Sequence, residues 1–330
     1  MELIQNLKSK IPNQMTPSIS DTAVKAAIAA ISSESASIKD KIEMLIEMAH
    51  GFVKKPKTTQ DLWNAIALYQ EAENLCDDDN FLLKARAKIG SAGALRSIPN
   101  DTEEFLLQAQ VLYTEALPIL QEFASSEELA EAQMNYGLVL QSLVPFNLVQ
   151  IGDSIQVYQD ALRVFTWEKY PQEYAILHNN IAIAYLSMSG GSQQQYLFEG
   201  LAVQTFEAAL KHIHLIDHPR EYAMLQNNLG NALQYLPSSH PLDNLMRAIA
   251  AYDQALKVRN SKDTPIEYAN TIANKANALL NLPDDLNQPE IGNNRNLIQA
   301  RNYYQQAWEI FTQHGYREQA QVVTQVLEEL

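Results

Sequence analysis

The stretch HIHLIDHP, residues 212–219, holds the only cluster of histidines in the chain and suggests metal chemistry. The possible ligands are His212, His214, Asp217 and His218. Imidazole and carboxylate groups bind zinc in many proteins, but side chains two residues apart on a helix point in different directions. Pro219 also indicates that one helix ends and another begins within this stretch. We therefore expect no metal here.

Three further stretches contain residue types used in catalysis or ion binding. The acidic run DDDN, residues 77–80, lacks the glycine and final glutamate of a calcium loop and is expected to cap a helix that starts near Phe81. Cys76 lies beside these acids, which raise the pKa of its thiol and disfavour a nucleophile. Gly190 and Gly191 follow no strand and precede no Lys-Ser/Thr pair, unlike a phosphate-binding loop. We therefore expect neither an enzyme nor a bound cofactor.

A recurring asparagine is the polar residue that the spacing singles out. Four copies are followed two positions later by Gly or Ala, at intervals of 45, 48 and 46 residues. The copies are Asn135/Gly137, Asn180/Ala182, Asn228/Gly230 and Asn274/Ala276. A carboxamide offers both a donor and an acceptor, so it can pair with the backbone of an extended peptide whatever its side chains. It can equally bind a neighbouring repeat and fix the register of packing.

A second pattern, small-x-x-x-aromatic-x-x-Ala, alternates with the first. Its copies are Ala65/Tyr69/Ala72, Ala109/Tyr113/Ala116, Ser154/Tyr158/Ala161, Ala202/Phe206/Ala209, Ala248/Tyr252/Ala255 and Ala300/Tyr304/Ala307. Both patterns place apolar residues three and four positions apart, which is typical of helices. The small residues Ala248 and Ala255 share one face and let a neighbouring helix approach, while Tyr252 fills the space between them. The alternation predicts pairs of helices.

Prolines mark the predicted starts of the later pairs. Pro171, Pro219 and Pro265 each precede a glutamate by two positions, which suits the first turn of a helix. The predicted hairpins extend over six ranges: 36–76, 80–122, 126–166, 171–213, 219–258 and 265–314. We therefore predict an N-terminal arm and capping helix over 1–35, six repeats over 36–315 and a C-terminal capping helix over 316–330.

Composition and charge disfavour several classes of protein. The chain has 330 residues, of which 46% are hydrophobic, and this allows a packed core. Its net charge of −15 disfavours nucleic acid and favours basic partners. The single cysteine fits a reducing compartment. Because we recognise neither a signal peptide nor an apolar stretch of about 18 residues, we expect a cytoplasmic protein without membrane contact.

The combination of P-x-E-Y-A, N-x-G/A and A-I-x-x-Y-x-x-A-L resembles the tetratricopeptide repeat (TPR) family. The usual repeat of that family has 34 residues. The repeat here has about 46 and is similar to the long-helix repeats of cyanobacterial and kinesin-light-chain proteins. The resemblance covers roughly residues 36–330. It implies an all-α, right-handed superhelix of about six TPR-like hairpins with capping helices, which binds proteins or peptides.

The resemblance also implies where a ligand lies, because first helices of such repeats line the concave wall. The asparagines would then form a ladder along a groove rich in carboxamides. A helical wheel centred on Leu229 places Asn227 and Asn231 opposite the buried stripe and Asn228 at its border. The predicted peptide-binding residues are Asn135, Asn179, Asn180, Asn227, Asn228, Asn231, Gln234, Asn274 and Asn277. The alternative, in which these asparagines only fix repeat packing, stays open.

Three functions are consistent with these observations. The leading hypothesis is a soluble adaptor or scaffold that holds a segment of a protein or peptide, preferably a basic one. A second is an assembly chaperone for an immature metalloenzyme subunit such as a hydrogenase. A third is the sensor module of a signalling complex. The first two differ in that a scaffold binds mature partners stably, whereas a chaperone prefers the immature form and later releases it.

Overall fold

The computed structural model describes residues 22–33, 35–99, 102–188, 191–236 and 241–330. Within these ranges the chain forms 14 α-helices and no β-strand, which confirms the prediction of an all-α protein. Consecutive helices pack against each other in pairs, as a helical repeat requires. The predicted arm, residues 1–20, and Gly190 lie outside the described residues. The right-handed superhelix stays a prediction.

The first of two compact units ends at Val164. It contains a single helix followed by three hairpins. Its helices are α1 (Thr22–Ser33), α2 (Ile38–Lys54), α3 (Thr59–Leu75), α4 (Phe81–Ser97), α5 (Glu104–Phe123), α6 (Ser126–Leu143) and α7 (Ile151–Leu162). The hairpins are α2–α3, α4–α5 and α6–α7. Short 3-10 helices at Asp78–Asn80 and Val144–Phe146 precede α4 and follow α6.

The second unit begins at Phe165 and contains three more hairpins and a last helix. Its helices are α8 (Pro171–Leu186), α9 (Ser192–Leu210), α10 (Pro219–Tyr235), α11 (Pro241–Ala255), α12 (Pro265–Leu280), α13 (Asn294–Gln313) and α14 (Arg317–Glu329). The hairpins are α8–α9, α10–α11 and α12–α13, and α14 packs on α13. A 3-10 helix at Pro289–Ile291 lies in the loop before α13.

The sequence determines several helix starts directly. Pro171, Pro219 and Pro265 are the first residues of α8, α10 and α12, which confirms the prediction for these helices. A proline is tolerated there because the first amides of a helix have no partner within it. One prediction for the first unit is wrong: the side chain of Asn80 makes no capping hydrogen bond to α4. Asp77 instead accepts from the backbone amide of Asp79, at 3.1 Å, within the preceding 3-10 helix.

Glycine and tyrosine fit together at the centre of two hairpins. Tyr252 on α11 is fully buried, as predicted, and its ring lies on Gly230 of α10. A Cβ atom at Gly230 would lie only 2.6 Å from Cε1 of that ring, so only glycine leaves the space that the ring occupies. Gly137 of α6 faces the ring of Tyr158 on α7 in the same way. The close approach brings the tyrosine hydroxyls to the first helices.

Those hydroxyls then bind side chains of the first helices. The Tyr158 hydroxyl donates to Oε1 of Gln141 at 3.0 Å, one turn after Gly137. In the other hairpin Nε2 of Gln234 donates to the Tyr252 hydroxyl at 2.6 Å. That hydroxyl donates in turn to Oδ1 of Asn231 at 2.7 Å. The buried ring of α11 therefore holds two carboxamides of α10 in position.

Candidate peptide-binding site

Carboxamides from three first helices form one hydrogen-bonded chain in the second unit. On α12, Nδ2 of Asn274 donates to Oδ1 of Asn227 on α10 at 3.4 Å. Nδ2 of Asn227 donates to Oδ1 of its neighbour Asn228 at 2.9 Å. Nδ2 of Asn228 donates to Oδ1 of Asn179 on α8 at 2.7 Å, and Asn179 donates to Asn180 at 3.4 Å. We call these five residues the carboxamide ladder, and they join α8, α10 and α12.

Most of the ladder is covered, which the helical wheel did not predict. Asn227 was placed opposite the buried stripe, yet its exposed fraction is only 6%. The placement was wrong because α10 contacts α8 and α12 as well as α9 and α11, so that the side away from Leu229 is also covered. Asn179 and Asn180 are similarly buried, with exposed fractions of 7% and 9%. A wheel with one buried stripe describes a helix with one neighbour.

Asn135 lies in the first unit, where the contact between first helices is different. Its Nδ2 donates to the backbone carbonyl of Glu131 at 3.1 Å, within its own helix. The first helices α4 and α6 are joined by an ion pair between Arg86 and Glu128. The guanidinium donates through Nε and Nη2 to the two carboxylate oxygens, at 2.7 Å and 2.9 Å. An ion pair thus occupies the kind of interface at which the second unit uses carboxamides.

A cavity of about 480 Å³ lies next to the ladder in the second unit. Its walls come from α8, α9, α10 and α12. The lining residues are Leu186, Glu199, Asn231, Gln234, Tyr235, Asn274 and Asn277. Four of them belong to the predicted set, and Asn274 is also a member of the ladder. The structure therefore brings Asn231, Gln234, Asn274 and Asn277 to one cavity, and Asn179, Asn180, Asn227 and Asn228 into the ladder.

Hydrogen bonds fix the carboxamide wall of this cavity. Nδ2 of Asn277 donates to Oε1 of Gln234 at 2.8 Å and to the Tyr235 hydroxyl at 3.1 Å. Gln234 also donates to the backbone carbonyl of Asn274 at 3.1 Å, which joins α10 to α12. In contrast, no described residue donates to Oδ1 of Asn274 or Oδ1 of Asn277. Both acceptors are thus free to receive a donor from a ligand.

Three lining residues were not predicted from the sequence: Leu186, Glu199 and Tyr235. Leu186 and Tyr235 lie at the C-terminal ends of α8 and α10, close to the predicted residues in space. Glu199 lies on α9, the second helix of its hairpin, whereas the predicted binding residues all lie on first helices. The side chain of Tyr235 is 67% exposed, and an exposed aromatic one residue after Gln234 was the one signal that could have extended the site.

The histidine stretch shows no arrangement of ligands. His212 stacks on Trp167, with ring centroids 4.4 Å apart and an interplanar angle of 15°. The described residues contain no group of three or more His, Cys, Asp or Glu side chains that could hold a metal. This stretch therefore contributes an aromatic contact between the end of α9 and the segment before α8.

His178 on α8 lies near this contact and should make stability depend on pH. Its ring packs on Tyr174, with centroids 4.0 Å apart, and Nδ1 donates to the Tyr174 carbonyl at 3.0 Å. Burial lowers the pKa of His178 below its ordinary value of 6.5, the backbone hydrogen bond opposes this shift, and His212 lowers the pKa further. The unfolded chain therefore takes up the proton at a higher pH than the folded protein.

We expect the free energy of unfolding to be independent of His178 well above pH 6.5 and to decrease as the pH falls below that value. Chemical denaturation at pH 8 and pH 5 measures the loss. The variant His178→Phe keeps the ring contact and cannot titrate, so its loss over the same range should be smaller. An equal loss in both proteins would show that His178 does not contribute.

The pKa of the Cys76 thiol is shifted in the direction that the sequence predicts. Burial raises the pKa of the Cys76 thiol, Glu73 and Asp77 raise it further, and Lys84 opposes them, which confirms the predicted direction.

Among the described helices, none has the length and apolar character that a membrane crossing needs.

The chain was compared with known proteins. Neither the protein-family models nor the curated proteins give a match to it.

Proposed function

We propose that this protein is a cytoplasmic adaptor of the TPR class that holds a peptide-like segment of a partner protein in its carboxamide cavity. The observation that supports the proposal is the cavity itself. Its volume of about 480 Å³ lies within the range of ligand pockets, roughly 300–1,000 Å³. Its wall combines fixed carboxamides with the exposed ring of Tyr235, which suits a ligand that is partly polar and partly apolar.

The hydrogen-bond pattern supports a division of roles among the predicted residues. In the ladder, Asn227, Asn228 and Asn179 use their carboxamides on each other, which leaves them less available to a ligand. Asn274 and Asn277 each keep an acceptor for a donor such as a peptide amide. We therefore propose that the ladder fixes the packing of the first helices, while the cavity residues bind the segment.

Charge favours one kind of partner. The chain carries 39 acidic and 24 basic side chains, and Glu199, the one charged residue in the described part of the cavity lining, is acidic. Long-range attraction and the local field both favour a basic segment. The chaperone and sensor hypotheses stay as predictions, and the maturation state of a partner separates the chaperone from the adaptor.

Selection from a random heptapeptide display library on the full-length protein tests the proposal. We expect selected peptides to lose at least about tenfold in affinity for Asn277→Trp, because the indole fills part of the cavity and removes the bond to Gln234. Isothermal titration calorimetry with a synthetic copy of one selected peptide measures the change.

The matched control is Asn302→Trp, which makes the same substitution at an exposed position of α13. It should bind the peptide as the natural protein does. The proposed function is contradicted if no peptide is selected, or if the selected peptides bind Asn277→Trp and Asn302→Trp equally well.

A further inference from the structure

Among the described residues that line the cavity, Glu199 carries the one charged side chain, and that side chain is incompletely paired. Its Oε1 accepts from Nε2 of Gln195 at 2.9 Å, one turn earlier on α9. Its Oε2 is buried and has no hydrogen-bond partner among the described residues. A buried carboxylate oxygen without a donor is costly, so a donor brought by a ligand would be strongly favoured there.

We propose that this carboxylate binds the ammonium group of a lysine in the captured segment, which rests on the proposed function of the cavity. An ammonium carries up to three donors and no acceptor. Glu199, Asn274 and Asn277 line the same cavity, and the unpaired Oε2 of Glu199 and the Oδ1 atoms of the two asparagines are all acceptors. A cation with several donors therefore matches the polar part of this cavity.

The apolar part of the lining matches the rest of a lysine side chain. A lysine stem has four methylene groups, which pack along apolar surface while the charge reaches polar partners. Leu186 and Tyr235 line the same cavity as Glu199 and provide such surface. The face of the tyrosine ring also attracts a cation.

Lysine is favoured over arginine because of how Glu199 is already bonded. A guanidinium binds a carboxylate most strongly through two parallel hydrogen bonds, one to each oxygen. Gln195 already donates to Oε1, so a paired guanidinium would have to share that oxygen, whereas Oε2 has no other donor among the described residues. An ammonium acts as a point charge and needs only one carboxylate oxygen.

Three small probes test this without any selected peptide: the N-acetyl, C-methylamide derivatives of lysine, arginine and norleucine. Norleucine has the lysine stem without the ammonium. We titrate each into the full-length protein and follow the side-chain NH₂ resonances of asparagine and glutamine. We expect the lysine probe to bind about tenfold more tightly than norleucine, as one hydrogen bond to a charged group produces, and more tightly than arginine.

The variant Glu199→Gln should reduce the lysine probe to the affinity of norleucine. Glu309→Gln is the matched control, because Glu309 is also bonded to a glutamine one turn earlier, at 3.3 Å, but lies on an exposed face of α13. It should leave the lysine affinity unchanged. The comparison of lysine with norleucine on the natural protein remains decisive if a variant fails to fold.

Equal binding of lysine and norleucine, or tighter binding of arginine, would overturn the proposal. Tighter binding of spermidine than of the lysine probe would also overturn it, because the site would then belong to free polyamines. Selected peptides that depend on the cavity but lack lysine would contradict this inference and leave the adaptor function intact. Binding of the lysine probe without any selected peptide would contradict the adaptor function alone.

Discussion

The substitution Gly230→Ala should lower the free energy of unfolding by about 2 kcal/mol. The new Cβ would lie 2.6 Å from Cε1 and 2.7 Å from Cζ of Tyr252. That ring is fully buried, and its hydroxyl is held by Asn231 and Gln234, so it cannot move aside easily. Forcing a methyl group into a packed core typically costs about 1–3 kcal/mol, and replacing glycine in a helix regains about 1 kcal/mol. A net loss of about 2 kcal/mol therefore requires a cost at the upper end of that range. The rigid ring places Gly230→Ala there.

Gly200→Ala is the matched control for this substitution. Gly200 lies within α9 of the same unit, and a Cβ there meets no atom within 4 Å. Alanine at this position should therefore raise the free energy of unfolding by about 0.5–1 kcal/mol through helix propensity alone. Urea denaturation followed by circular dichroism measures both. Equal effects of the two substitutions would mean that the contact of Gly230 with Tyr252 is not rigid.

Asn228→Ala should also destabilise the second unit, by about 2 kcal/mol. Asn228 is the ladder residue that accepts from Asn227 and donates to Asn179. Without the Asn228 carboxamide, a donor of Asn227 and an acceptor of Asn179 lose their partners. Both residues are more than nine-tenths buried, so water cannot easily replace those partners. Leaving such a group unpaired costs about 1–3 kcal/mol. The better helix propensity of alanine offsets about 0.5 kcal/mol of this loss.

Asn135→Ala tests whether the effect comes from the ladder or from any asparagine at this repeat position. The side chain of Asn135 binds only the carbonyl of Glu131, which already lies in the helix, and it is partly exposed. We expect a change within about 0.5 kcal/mol. If urea denaturation gives both variants the same loss, the bonds between first helices contribute nothing measurable.

The helical hairpins could be predicted from the sequence because their signals are local. Pro171, Pro219 and Pro265 fix φ at a helix start, and the prediction needed no knowledge of neighbours. The burial of Tyr252 between Ala248 and Ala255 followed from spacing along one helix. The prediction that residues 77–80 cap α4 failed, because a 3-10 helix precedes α4 and the side chain of Asp77 caps that helix instead.

The candidate site could be predicted only in part, because it depends on contacts between repeats. The repeat pattern identified Asn231, Gln234, Asn274 and Asn277, which share the cavity. It could not separate them from Asn227, which is buried and bonded to Asn274 of another hairpin, a contact that no pattern within one repeat contains. It gave no sign of Glu199, because the repeated asparagines lie on first helices and Glu199 lies on a second helix.

The central claim is that the ladder fixes packing while the cavity binds the segment. The affinity of one selected peptide for Asn228→Ala, measured by isothermal titration calorimetry below the melting temperature of that variant, tests this most directly. We predict a dissociation constant within about twofold of that of the natural protein, because Asn228 does not line the cavity. A loss of about tenfold or more in Asn228→Ala, together with normal binding to Asn277→Trp, would contradict the claim.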